Sequence, residues 1–106
     1  MYKPLPESLT IATSGINGLG LFTEEDIPQG TNLGMSHIKF GSKIHRTPLG
    51  GFINHSNTPN CVKTKLLFTN ENDPNLKFDY KVWNLVTIQD IKGGEELTVR
   101  YTFYNV

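Results

Sequence analysis

The chain has 106 residues, with ten basic and ten acidic side chains and a formal net charge of zero. That length accommodates one domain and not two, and the charge balance argues against a dedicated nucleic-acid binder, which carries a basic excess. Cys61 is the only cysteine, so an intrachain disulfide and a cysteine-rich zinc site are excluded and a reducing compartment is suited. The first residues show no apolar core of a secretory signal, and no apolar run approaches the ~20 residues that cross a bilayer. An intracellular, soluble protein is expected, without a membrane contact.

Glycine and proline interrupt the chain every few residues, and no stretch keeps a helical period for three turns. Short strands are predicted instead. The first is "SLTIAT", where Leu9 and Ile11 alternate with polar neighbours. "SGINGLGLF", Ser14 to Phe22, follows. Its G-x-x-G-x-G spacing is not that of a dinucleotide loop, and Leu21-Phe22-Thr23 reads as strand, so a hairpin turn is the plain reading. Asp26 to Leu33 and Asp90 to Leu97 share Asp, Ile, Gly and Leu at the same offsets. Two separate tight turns explain that echo. His37, His45 and His55 fit no usual metal pattern, and surface or capped roles are expected for them.

"LGGFINHSNTPNC", Leu49 to Cys61, is richer in polar and turn-forming residues than a turn requires. Asn54 and His55 follow the apolar Phe52-Ile53 and are expected to enter the interior, where buried polar groups need partners. A polar ligand would supply them. Two further strands follow, "CVKTKLLF" and "LKFDYKVWNLVTI", joined through the turn formers of "TNENDPN" into a long hairpin. "ELTVRY" closes the series, with Tyr101, Phe103 and Tyr104 crowding the end. The chain is therefore read as mostly β.

Taken in order, "GLGLF", "DIPQGT", "FINHSNTPNC" and "VTIQDIKGGEELTVRY" resemble the SET domain of protein lysine methyltransferases. The Asn-His-Ser-x-x-Pro-Asn motif at Asn54 to Asn60 is the most specific part. The resemblance covers about residues 9 to 104, a single domain within 1–106. It implies the SET fold, with several short curved sheets and a C-terminal pseudoknot that brings Tyr101 beside Asn54 and His55. It implies S-adenosylmethionine as cofactor, contacted by Gly18, Leu19, Gly20, Asn54 and His55, with Phe103 or Tyr104 stacking on the adenine. Tyr101 resembles the catalytic tyrosine, and Phe52 and Val99 fall where the substrate channel is lined.

The implied activity is methyl transfer to a lysine amine of a protein substrate, with no direct nucleic-acid contact and no metal. The compact size resembles the minimal stand-alone SET proteins of viruses and bacteria, for which pairing into a homodimer is expected. The chain also departs from the pattern. Gly50 and Gly51 stand where many relatives carry Arg, and no tyrosine lies between Gly34 and Gly50 to serve as a second channel tyrosine. His37 or Phe40 is the substitute to consider. Val99, smaller than the usual Phe or Tyr two residues before the catalytic tyrosine, leaves room for multiple methylation. An inactive SET-like module that binds peptide or cofactor is the alternative.

Overall fold

A computed structural model of the chain describes residues 5, 6, 8–69, 71, 74, 75 and 79–101. Within them the chain forms eight strands and one helical turn. These are β1 (Leu9–Thr13), β2 (Leu19–Thr23), β3 (Asn32–Phe40), β4 (Lys43–Arg46), α1 (Pro48–Phe52), β5 (Asn54–His55), β6 (Cys61–Phe68), β7 (Tyr80–Thr87) and β8 (Glu96–Val99). They make two four-stranded sheets, ordered β1-β2-β8-β5 and β4-β3-β7-β6.

The first sheet explains how the end of the chain reaches its middle. β1 and β2 form the expected hairpin, Thr13 opposite Leu19. β8 then inserts between β2, antiparallel with Leu21 opposite Leu97, and β5, parallel with Asn54 opposite Thr98. A strand near the C-terminus thus threads between two segments far earlier in sequence, the arrangement of the SET pseudoknot. The core gathers where the sheets meet. Leu21, Leu85, Leu97, Ile91 and Val99 are essentially sealed from solvent, with Leu33, Leu49 and Ile53 packed beside them.

The Asp-Ile echo is not two separate turns, as the sequence suggests, but one paired structure. Ile27 and Ile91 exchange main-chain hydrogen bonds of 2.7 and 2.8 Å. The carboxylate of Asp26 accepts from the amide of Gly93 at 2.9 Å, and that of Asp90 accepts from the amide of Gln29 at 2.8 Å. Each Asp therefore caps the residue three places beyond the other Asp, and this exchange explains why both copies need the same spacing. Gly30 and Gly94 turn the two chains back with φ of 84° and 92°, where a side chain would be strained.

Candidate functional site

The polar run after Ile53 enters the interior as expected. Asn54 and Asn60 are both 7% exposed. The side-chain N–H groups of Asn54 find protein partners, where the sequence reading looked to a ligand to supply them. Its amide donates to the carbonyls of Asn17 and Leu19, each at 3.2 Å, and to Glu96 Oε2 at 2.9 Å. The partners come from the β1–β2 loop and from β8, segments that only the threaded topology brings together. Asn60 is likewise structural. Its side chain donates to the Glu96 carbonyl at 2.9 Å and accepts from the Thr98 amide at 2.8 Å, holding β8 as a neighbouring strand would.

Glu96 is the residue sequence reasoning missed. Its carboxylate accepts from Ser14 Oγ at 2.8 and 2.9 Å as well as from Asn54. It also lies so close to Gly20 that a Cβ there would fall 2.4 Å from Oε2. One carboxylate thus fastens the glycine loop, the polar run and β8 to one another. The available signal was the Glu95-Glu96 pair ahead of an apolar strand. The partners, 82 and 42 residues away, left no local trace. Beside this network the loop is open: a Cβ built at Gly15 or Gly18 meets no other atom, and Leu19 is exposed.

Tyr101 lies where the resemblance expects it, against His55. Its amide donates to His55 Nδ1 at 2.9 Å, its ring lies 5.2 Å from the imidazole, and its hydroxyl donates to the Ile53 carbonyl at 2.9 Å. His55 Nε2 bonds Asn57 Oδ1 at 3.1 Å, which fixes the ring from its other side. Tyr101 also lines a cavity of about 250 Å³ with His37, Arg46, Gly50, Gly51 and Lys63.

His37 is buried rather than at the surface, the second correction. Gly50 makes that burial workable. A Cβ at Gly50 would fall 2.3 Å from the Ser36 carbonyl and 2.7 Å from the His37 ring, so only glycine lets α1 approach β3 this closely. His37 Nδ1 bonds Ser36 Oγ at 3.0 Å. Burial, reinforced by the charges of Lys63 and Arg46, pushes the His37 pKa down to about 4, so the ring is neutral near pH 7. Burial also lowers the pKa of the Lys63 amine.

Of the two substitutes for a second channel tyrosine, His37 shares the cavity with Tyr101. Phe40 lies at the far end of β3, against Tyr80 and His45. Val99 is buried in the core and lines a second cavity of about 330 Å³ together with Lys63, Trp83 and Arg100. Lys63 belongs to both cavities. Phe52, half-buried at the end of α1, lines neither. Phe103 and Tyr104 lie outside the described residues. Among the described residues no cluster of side chains is arranged to hold a metal ion, and no helix is long and apolar enough to cross a membrane.

Residues 35–102, more than half of the chain, match the SET domain family model. The chain belongs to the SET-domain family. No curated protein sequence matches it significantly. Among solved structures, a Plasmodium falciparum protein described as a candidate histone methyltransferase is similar at a TM-score of 0.68 and 14% identity, over 93% of this chain and 96% of that one. A humanized mutant of the Chaetomium thermophilum Polycomb Repressive Complex 2 bound to an inhibitor is similar at a TM-score of 0.64 and 21% identity. A second inhibitor-bound structure of that complex gives 0.58 at the same identity. This chain is covered to 88% and 89% in those two matches but spans only 14% and 15% of the matched chains. At these identities the likeness shows the fold.

Proposed function

We propose that the chain is an S-adenosylmethionine-dependent protein-lysine N-methyltransferase. The observation that carries this reading is the position of Tyr101: its hydroxyl is fixed on the Ile53 carbonyl, one residue from Asn54, beside a cavity of side-chain size. The residues present fit the cofactor. The chain is open to a ligand at Gly18 and Leu19, while Gly20 is buried against Glu96, and Asn54 and Glu96 hold that loop in place. Gly18, Leu19, Gly20, Asn54 and His55 would hold the cofactor, with Phe103 or Tyr104 against its adenine. When bound, it supplies a methyl group on a sulfonium cation.

The chain's own groups account for the rest of the chemistry. A phenol has one proton to donate, and that of Tyr101 is committed to Ile53, so its oxygen is left as an acceptor. An acceptor there orients an amine N–H and tolerates polarised methyl C–H groups. His37, neutral near pH 7, adds a wall that does not repel an amine. The target lysine must lose its proton first, from a reference pKa of ~10.4. Arg46 and Lys63 line the same cavity, and like charges disfavour the ammonium form. Positioning then supplies much of the rate.

One observation favours a second reading. Those same two cations also oppose entry of a protonated lysine, and among the described residues no second tyrosine lines the cavity. A module that binds peptide and cofactor without transfer fits that picture. Pairing into a homodimer is part of the proposal as well. Val62 and Leu66, four residues apart and so on one face of β6, are 41% and 49% exposed and offer apolar surface to a second copy.

The test is calorimetric titration of the chain with S-adenosylmethionine, followed by the mass of a lysine peptide incubated with both. Saturable binding that weakens in Asn54→Ala, together with a mass gain of whole methyl groups, supports the enzyme. Binding of both partners with no mass gain establishes the second reading in its place.

A further inference from the structure

The chain is neutral as a whole, yet its charges are sorted. Residues directly opposite in an antiparallel pair share a face, as do alternate residues along a strand. In the second sheet, Arg46, His37, Trp83 and Lys65 therefore form one row, and Lys39, Lys81 and Leu67 the next. Lys63, two places from Lys65, points to the same side. The strands of this sheet contain no Asp or Glu. Most exposed carboxylates gather elsewhere, at Glu24, Glu25, Asp26, Asp90 and Glu95 around the paired turns, while Glu71 and Asp79 are exposed at the β6–β7 end of this sheet.

The face is electrostatically unfinished. Lys39 stands directly opposite Lys81, a pairing that destabilises a sheet unless an anion is shared between them. Among the described residues no ion pair joins any of these cations to a carboxylate. The face is also continuous with the cavity beside Tyr101, through His37, Arg46 and Lys63.

We propose that this face binds the acidic flank of the protein substrate, so that the lysine presented to Tyr101 lies among Asp and Glu residues. The reference to a target lysine rests on the methyltransferase reading; the acidic-peptide site does not. A nucleic acid is the weaker occupant. Its binding draws on a net basic charge that this chain lacks, and the cavity at the edge of the face has side-chain dimensions. The site would also set the enzyme against basic tails, whose charges would meet Lys39, Lys65 and Lys81.

The experiment is an anisotropy titration of the full chain with labelled probes. Two are peptides of equal length with one central lysine, flanked by Asp and Glu in one and by Lys and Arg in the other. The third is an oligouridylate. Several solvent-exposed ion pairs acting together amount to about tenfold in affinity, and the acidic peptide is expected to lead the basic one by at least that much. The lead should disappear in Lys39→Glu/Lys65→Glu, neither residue lining the cavity beside Tyr101 or the one beside Val99, while S-adenosylmethionine binding is unchanged. Because that double variant reverses two charges, Lys65→Gln at the exposed position serves as a milder check and should weaken only the acidic peptide.

Equal binding of the two peptides, or tighter binding of the oligouridylate, overturns the proposal. The two readings fail separately. Acidic-peptide binding without methyl transfer removes the enzyme and leaves the site. Methyl transfer that favours the basic peptide removes the site and leaves the enzyme.

Discussion

Asn60→Ala separates a structural asparagine from a ligand-binding one. The substitution deletes the donor to the Glu96 carbonyl and the acceptor for the Thr98 amide, at 2.9 and 2.8 Å. Thr98, whose amide is orphaned, is 7% exposed, and Glu96, whose carbonyl is the other orphan, is half-buried, so water reaches the first poorly and the second only in part. A buried polar group left without a partner costs about 1–3 kcal/mol, and two of them about 2–6. Release of the ordered asparagine side chain offsets part of this, which places the net loss near 3 kcal/mol. A domain of this size has about 5–15 kcal/mol in total, so the variant should still fold. The assay is urea unfolding followed through the single tryptophan, Trp83. The midpoint should fall with the slope unchanged, since the exposed area on unfolding is the same. A loss below about 1 kcal/mol would refute the reasoning, because it would mean that β8 does not depend on this side chain.

The other expectations are narrower. Gly50→Ala forces a Cβ against the Ser36 carbonyl and the His37 ring. It should cost about 1–3 kcal/mol, read as a lower thermal midpoint with a shifted His37 imidazole resonance. His37 has a folded pKa of about 4, below its ordinary value of 6.5, so the unfolded chain binds the extra proton between these values. Stability should be full above pH 6.5 and decline by about 2–3 kcal/mol as pH falls to 4, and His37→Gln should flatten that stretch of the urea-midpoint profile. Burial pushes the Cys61 thiol up to about 12, and the residue is 1% exposed. Native protein should therefore resist alkylation at pH 8, with labelling appearing only on unfolding.

The strands that sequence reveals are those whose β-favouring residues run between turn formers. "CVKTKLLF" coincides with β6, and the Leu9 and Ile11 pattern lies in β1. β3 was hidden because its period is broken. The pairing with β7 slips between Asn32 and Gly34 and again between Met35 and His37, so polar and apolar residues do not fall on a simple period of two. His37 and Asn54 show the limit for single side chains. Each looks suited to the surface or to a ligand until Ser36, Asn17, Leu19 and Glu96 supply its bonds. The positions of Asn54, His55 and Tyr101 were legible only through the ordered motifs, since no local rule joins residues 46 apart. Charge sorting on the second sheet was invisible for a related reason: it depends on register across four strands, which composition averages away.

The most direct test of the central claim is the mass of a lysine-containing peptide incubated with S-adenosylmethionine and either the wild-type chain or Tyr101→Phe. The variant loses one hydrogen bond to Ile53, a stability change of about 1 kcal/mol that leaves the fold intact. The expected result is stepwise methyl addition by the wild type and a loss of at least about a hundredfold in rate in the variant. Equal rates in the two proteins, or no methyl addition by a folded wild type that binds both partners, would contradict the account.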